Sequence, residues 1–407
     1  MNCEIISVGT ELLLGEIANL DAQIISQGLS EQGINVFYHT VVGDNPERLK
    51  KALAVAKARA DIIITTGGLG PTADDLTKET IAAAFGKKLL MNREQQLRLH
   101  QVMGDRMTPN NEKQAVLPEG CTVLENDWGT APGCAFEASG CRVVMLPGPP
   151  HECEPMFFKR ALPYLESLRE GVIRSQYVKI FGMGESEMES KLSYLMDNLK
   201  NPTAAPYAKE GECLVRVTAK AATEEEAFAM CRPVVREVCD VLGDVVYGVD
   251  VSSLEQVVVD GLRKKGLTVA LAESCTGGLI ARRLTDIPGA SEVFGCGLVT
   301  YSNEMKTRLL GVSPETLREH GAVSPETALE MARGARRVGQ ADIGVGVTGI
   351  AGPGGGSEEK PVGLFYVAIS GPKGEQVIER RRRRASRERT RLYASSCALD
   401  LIRRTAL

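Results

Sequence analysis

Short apolar runs alternate along this chain with stretches in which apolar positions recur every third or fourth residue. Residues 3–8, 35–41 and 61–66 are runs of strand length, and the segments 22–32 and 46–57 between them keep the helical period. That βαβαβ order predicts a parallel sheet covered on both faces over residues 1–168. A hairpin-like stretch at 133–145 and a helix after Leu146-Pro147-Gly148-Pro149-Pro150 belong to the same block. Residues 169–250 change character, with strands at 178–181 and 212–219 and helices at 185–199 and 224–241, a small α+β module. From 251 to 407 the alternation returns. A helix over 254–265 leads to strands at 268–271, 297–301, 343–347, 363–369 and 376–382, and a last helix covers 387–402. The fold class is α/β and multidomain: a doubly wound N-terminal sheet, an α+β module and a C-terminal α/β domain.

Length and composition narrow the picture. At 407 residues the chain exceeds one ordinary core, so several domains are expected. A net charge of −4 gives no global attraction to nucleic acid or to an anionic membrane. No apolar run is long enough to span a bilayer, and Met1-Asn2-Cys3-Glu4 lacks the basic start of a signal peptide, so a cytoplasmic protein is expected. The 11 cysteines include no C-x-x-C pair and read as reduced thiols in the core. His39, His100, His151 and His320 show no metal-ligand spacing, and no G-x-x-x-x-G-K-[ST] phosphate loop occurs.

Candidate chemistry concentrates where strands end. The apolar run Val269-Ala270-Leu271-Ala272 breaks into Glu273-Ser274-Cys275-Thr276-Gly277-Gly278 before a helix. This corner puts a nucleophile on a tight turn, close to glycine amides and a helix N-terminus that could hold a phosphate or an oxyanion. Ser274 is the candidate nucleophile and Cys275 its rival, since a helix N-terminus depresses a thiol pKa. The only histidine of this block, His320, falls at a helix end, so a histidine-based triad is poorly supported. Lys306 could serve as base if burial or a neighbour such as Arg387 lowers its pKa, and Tyr301 at a strand end could relay or orient a proton. On residue type and spacing alone, an exposed helix lysine at Lys306 and a half-buried aromatic at Tyr301 are the favoured readings. The loop from Thr348-Gly349 to Ser357 is glycine-rich enough for a phosphate cradle, with a surface loop as the plain alternative. Arg387 and Arg391 lie one helical turn apart, as an anion clamp requires.

A second corner follows the third strand, Thr66-Gly67-Gly68-Leu69-Gly70-Pro71-Thr72-Ala73-Asp74-Asp75-Leu76-Thr77. Its glycines allow close approach of a phosphate, and Asp74 and Asp75 could hold a hard cation; otherwise it is a tight turn with two capping carboxylates. Thr10 and Glu11 follow the first strand, and Pro147 and Gly148 follow a later one.

Taken in order, these three strand-end segments resemble the molybdopterin-binding domain of molybdenum-cofactor biosynthesis proteins, in the form found in the CinA family. Downstream, Ala272-Glu273-Ser274-Cys275-Thr276-Gly277-Gly278, Tyr301-Ser302-Asn303 with Lys306, Gly346-Val347-Thr348-Gly349-Ile350-Ala351-Gly352-Pro353, and Arg387 with Arg391 resemble the carboxyl-terminal domain of the same family. Ala385-Ser386 replaces the Gly-Asp that many members carry before the arginine. The resemblance implies a nicotinamide mononucleotide amidohydrolase needing no cofactor, with Ser274, Lys306 and Tyr301 catalytic and Thr276, Gly277, Gly278, Thr348, Gly349, Arg387 and Arg391 around the substrate. For the N-terminal block it implies an ADP-ribose pyrophosphatase. There Thr10, Glu11, Gly67, Gly68, Gly70, Thr77, Pro147 and Gly148 surround the nucleotide, and Asp74 and Asp75 hold a divalent metal.

The middle block resembles the family's KH-type module, but Gly182-Met183-Gly184-Glu185 is followed by Glu187 and Glu189, which would repel a nucleic-acid backbone. A spacer or dimer contact is expected there, with small-molecule nucleotides as partners, a homodimer as the assembly, and no nucleic acid or membrane. The run Arg380–Arg384 reads as a solvated edge strand. Two other readings stay open: a pyrophosphatase alone, and a non-enzymatic pterin- or nucleotide-binding protein linked to competence or DNA damage.

Overall fold

In the computed structural model the first sheet begins with β1 (Asn2–Val8), β2 (Asn35–Val42) and β3 (Ile62–Thr66), all parallel. β4 (Leu89–Met91) and β5 (Val116–Pro118) form a separate two-stranded ribbon. β6 (Thr122–Leu124), β7 (Gly133–Ala138) and β8 (Cys141–Leu146) complete a six-stranded order β2-β1-β3-β8-β7-β6. β8 runs parallel to β3, but β7 and β6 are antiparallel, so the expected parallel sheet is mixed. The reversal sits at Ser139 and Gly140, both with positive φ, as a two-residue hairpin demands. Ile5, Ile64 and Val144 face Ile25, Leu29 and Phe157; Ile6, Ile63 and Val143 face Leu49, Leu53 and Ile81. Burial on both faces is why these strands read as unbroken apolar runs.

The described residues are 1–167, 171–209, 211–382 and 384–406, so the expected boundary at 168/169 lies outside them. The chain divides into two units, Met1–Arg174 with Lys220–Ala227, and Ser175–Ala219 with Phe228–Leu407.

β9 (Val172–Ile180), β10 (Thr203–Lys209), β11 (Glu212–Ala221) and β12 (Val246–Val249) form a sheet in the order β10-β11-β9-β12, four strands where two were expected. β10 carries Pro206, which a central strand would reject but an edge tolerates. β12 is four residues long and contains Gly248. Glu185, Glu187 and Glu189 are exposed at the start of the helix Glu185–Asn198.

The last sheet runs β14-β13-β15-β16-β17, from β13 (Val269–Glu273), β14 (Phe294–Val299), β15 (Ile343–Gly349), β16 (Leu364–Gly371) and β17 (Gly374–Arg381). β14, β13 and β15 are parallel and the other two antiparallel. One face packs Leu271, Val345 and Val367 against Val258 and Leu262 of the helix Leu254–Lys265 and Ala394, Ala398 and Ile402 of the helix Arg387–Ala406. The helix Pro325–Val338 covers the other face. It lies against bare strand: a Cβ on Gly344 would stand 2.0 Å from the Ala332 carbonyl oxygen, and one on Gly346 2.3 Å from that of Ala328. β17 is an edge strand with Arg380 and Arg381 exposed, Arg382 lies over the Tyr393 ring, and Arg383 is outside the described residues. No helix among the described residues is long and apolar enough to cross a membrane.

Candidate active site

β13 delivers Ser274 to the carboxyl end of the parallel strands, where the Ser274 amide donates to the Val347 carbonyl of β15 at 3.0 Å. The chain then turns through Gly277 and Gly278, with φ of 61° and 88°. A side chain is strained at those angles, so the residues that let the strand enter a helix this abruptly are glycines. Ser302 caps the helix Asn303–Leu310 by accepting from the Met305 amide, and this helix carries Lys306 inward.

Lys306 is 1% exposed and Ser274 8%. The Lys306 Nζ lies 3.1 Å from Ser274 Oγ, 2.9 Å from the Thr300 carbonyl and 3.2 Å from the Tyr301 carbonyl. In the uncharged amine the two N–H groups donate to the carbonyls and the lone pair faces the serine hydroxyl. Desolvation lowers the Lys306 pKa, and the nearby Cys275 opposes it only in part. Arg387, expected to help, does not act on the amine; burial does.

Cys275 loses its claim as rival nucleophile. Its thiol is buried and pushed up to about 12, chiefly by desolvation and further by the Glu273 charge. The helix end that should have activated it is already occupied. Glu273 Oε2 accepts from the amides of Gly278 and Ile280 at 3.0 and 3.1 Å, and Oε1 from Ala281 at 2.8 Å. The Gly277 amide donates to the Ser274 carbonyl. The expected glycine-amide cradle is therefore corrected: both amides are used within the turn, and the glycines supply its shape.

Thr276 is fully buried, and its hydroxyl has no partner among the described residues, as is also true of Thr300. Thr348 donates its hydroxyl to the Ala322 carbonyl at 2.6 Å, while Gly349 lets β15 lie close to Phe365. Tyr301 is 61% exposed beyond the end of β14. Its phenol accepts from Arg387 at 2.9 Å, so it reaches Lys306 through its main-chain carbonyl rather than its ring. Arg387 also holds the Gly352 carbonyl, and Arg391 holds the Thr276 carbonyl at 2.7 Å. The last helix thus ties the nucleophile turn, Tyr301 and the glycine-rich loop together with two guanidinium groups whose hydrogen bonds go to neutral oxygens.

In the first unit the three sequence segments meet. A Cβ on Gly67 would stand 2.1 Å from the Val8 carbonyl oxygen, and one on Gly148 3.1 Å from Gly67 Cα. Gly67 donates to the Leu146 carbonyl, and Pro147 is buried beside it. Gly68 lies against Thr77, whose hydroxyl is buried without a partner among the described residues. Gly70 lies against Asp75, whose Oδ2 accepts from the Thr72 amide and hydroxyl at 2.9 and 2.5 Å. Thr10 bonds Asp44 through both amide and hydroxyl, and the Glu11 carboxylate folds back toward Gly9. Asp74 is exposed. No group of three or more His, Cys, Asp or Glu that could hold a metal occurs among the described residues. Asp74 and Asp75 therefore fit only a cation that takes most of its ligands from phosphate oxygens and water, as magnesium does.

Several partners escaped the sequence reading. Asp44 had a signal, since Gly43-Asp44-Asn45-Pro46 follows the second strand. Glu273 had one too, a carboxylate closing an apolar run. Lys78 had none: 4% exposed, it donates to the carbonyls of Lys113 at 2.7 Å and Gln114 at 3.3 Å. Lys113 in turn donates to the carbonyls of Thr72 and Asp75. A cavity of about 420 Å³ lined by Leu267, Ile343, Ile369 and Pro372 lies at the amino end of β13, away from Ser274.

The chain matches three family models: “Probable molybdopterin binding domain” over residues 4–167, “Damage-inducible protein CinA KH domain” over 175–248, and “CinA C-terminal domain” over 251–406. It is 51% identical over 410 residues to a CinA-like protein of Dictyoglomus thermophilum, with 100% of each chain covered. It is 52% identical over 408 residues to a CinA-like protein of Desulfovibrio desulfuricans, covering 99% of this chain and 96% of that one. A solved structure of the competence/damage inducible protein CihA from Agrobacterium tumefaciens is 46% identical, covers 38% of this chain and 94% of that chain, and has a TM-score of 0.36.

Proposed function

The chain belongs to the CinA family, and from that premise we propose that its Ser274 site hydrolyses the carboxamide of nicotinamide mononucleotide to nicotinate mononucleotide and ammonia. The observation that carries this reading is the buried Lys306 amine 3.1 Å from Ser274 Oγ with a depressed pKa. Ser274 gives its proton to the Lys306 lone pair as Oγ attacks the amide carbon. The lysine ammonium then protonates the departing nitrogen, ammonia leaves, and an acyl-serine remains. Water, deprotonated by the same amine, cleaves the ester and restores Ser274. Arg387 and Arg391 supply positive charge suited to a phosphate-bearing substrate.

We propose a second activity for the first unit, cleavage of the pyrophosphate of ADP-ribose-like dinucleotides. The meeting of the segments at Gly67, Gly148 and Val8 supports it. Asp74 and Asp75 would hold a divalent cation, which when bound offsets charge on the phosphate oxygens. The bare backbone at Gly67 and Gly68 lets the Val8 carbonyl and the Thr77 hydroxyl close up on the corner.

The full-length protein tests both readings. Ser274→Ala should abolish ammonia release with the fold intact, and Cys275→Ala should retain much of it; the reverse pattern would assign the nucleophile to the thiol. Excess chelator or Asp75→Asn should suppress dinucleotide cleavage and spare deamidation. No ammonia from the wild type would leave the pyrophosphatase reading standing alone. No cleavage either would point to a nucleotide- or pterin-binding protein.

A further inference from the structure

Glu273 is 1% exposed, ends β13 one residue before Ser274, and spends its carboxylate on three backbone amides, those of Gly278, Ile280 and Ala281. An ordinary helix cap comes from the residue at the boundary. Here that residue is Gly278, which has no side chain, and the cap arrives from five positions upstream. The bond from Glu273 to Gly278 therefore closes a loop whose first member is Ser274. The main chain of Glu273 reaches the other half of the site. Its carbonyl accepts from the Thr300 amide at 2.9 Å, and the Thr300 carbonyl holds the Lys306 amine. One residue is thus bonded through its side chain to the nucleophile turn and through its backbone to the strand end that holds the base.

We infer that Glu273 is a positioning residue for amide hydrolysis: it clamps the 274–278 turn so that Ser274 Oγ stays within reach of Lys306, and it caps the helix end that would otherwise favour a thiolate at Cys275. The inference rests on the reading of Ser274 as nucleophile. The geometry makes a demand that burial alone does not. Three amides converge on two oxygens, so a carboxylate is required. A carboxamide offers one accepting oxygen and turns an N–H donor toward at least one of the amides. A side chain of nearly the same size and shape should then loosen the turn without emptying the core.

The test uses the full-length chain, a small fluorophosphonate as a probe of serine nucleophilicity, and ammonia release. Ser274→Ala serves as the blank for the site of labelling. Glu273→Gln should label at Ser274 more slowly by roughly ten- to a hundredfold, the scale of loss for a reacting group displaced by about an ångström. Its kcat for ammonia release should fall in parallel while KM changes little. Glu273→Asp keeps the charge on a shorter stem and should fall between the two, and Cys275 should become more readily alkylated in Glu273→Gln. Labelling of Glu273→Gln at the wild-type rate, with a wild-type melt, overturns the positioning role. If Glu273→Gln does not fold, wild-type labelling of Glu273→Asp with unchanged kcat overturns it equally. A wild type that labels at Ser274 but releases no ammonia removes only the substrate reading, and the labelling comparison still decides the role of Glu273. A wild type that does not label at Ser274 removes the nucleophile, and the inference with it.

Discussion

An amine that touches a serine hydroxyl can accept its proton only while uncharged, so the reaction should follow the ionisation of Lys306. Burial with no opposing carboxylate favours the neutral form. Below its depressed pKa the amine is protonated and has no lone pair to offer, so the rate should rise with pH through one ionisation below the ordinary lysine value of about 10.4. A profile that climbs only near that value would remove Lys306 as base. Lys306→Arg keeps the charge and cannot lose it. It should cost on the order of a hundred- to ten-thousandfold in rate, the usual worth of general-base help, with a much smaller effect on KM. A variant turning over at close to the wild-type rate would show that the base lies elsewhere.

At the scale of elements, what could be read from sequence was what leaves a local mark. Parallel strands buried on both faces produce unbroken apolar runs, and their abrupt exits require glycine, so Gly67, Gly148 and Gly277 marked both corners. β10 and β12 were hidden because Pro206 and Gly248 argue against strand wherever the sheet position is unknown. Side-chain partners far apart in sequence left no mark: Thr10 finds Asp44 34 positions away, and Lys78 finds Lys113 35 away. That last pairing joins two elements. The helix Thr77–Ala84 grips the segment Pro109–Ala115 through Lys78, and that segment grips the acidic turn through Lys113. Lys78→Met leaves two carbonyls without their donor, a loss of about 1–3 kcal/mol. Urea unfolding should register it, and dinucleotide cleavage should weaken through KM more than deamidation does. Equal losses in both activities would mean that the residue supports the fold and nothing more local.

For the molecule as a whole, the first unit carries a titration that should shape its stability. Asp21, in the helix Leu20–Glu31, is 7% exposed, has a carboxylate oxygen without a partner among the described residues, and is raised by burial to about 7. A carboxyl whose pKa is raised on folding favours the folded state while it stays protonated. That contribution is complete below the unfolded value of about 3.9 and is lost as pH rises through about 7. Asp21→Asn should therefore melt higher than the wild type at pH 8, with the difference shrinking toward pH 5; a pH-independent difference would refute the assignment. The second unit owes its precision to a different feature, the seam between the helix Pro325–Val338 and β15. Where side chains meet, a change of volume is absorbed as neighbours rotate; where backbone meets backbone, nothing can rotate. A methyl at Gly346 would press on the Ala328 carbonyl oxygen, and Val347, the next residue along the strand, holds the amide of Ser274. The seam works as a ruler: a helix that touches neither Ser274 nor Lys306 through a hydrogen bond sets how far forward the nucleophile stands, and an error at 346 would be read as chemistry at 274.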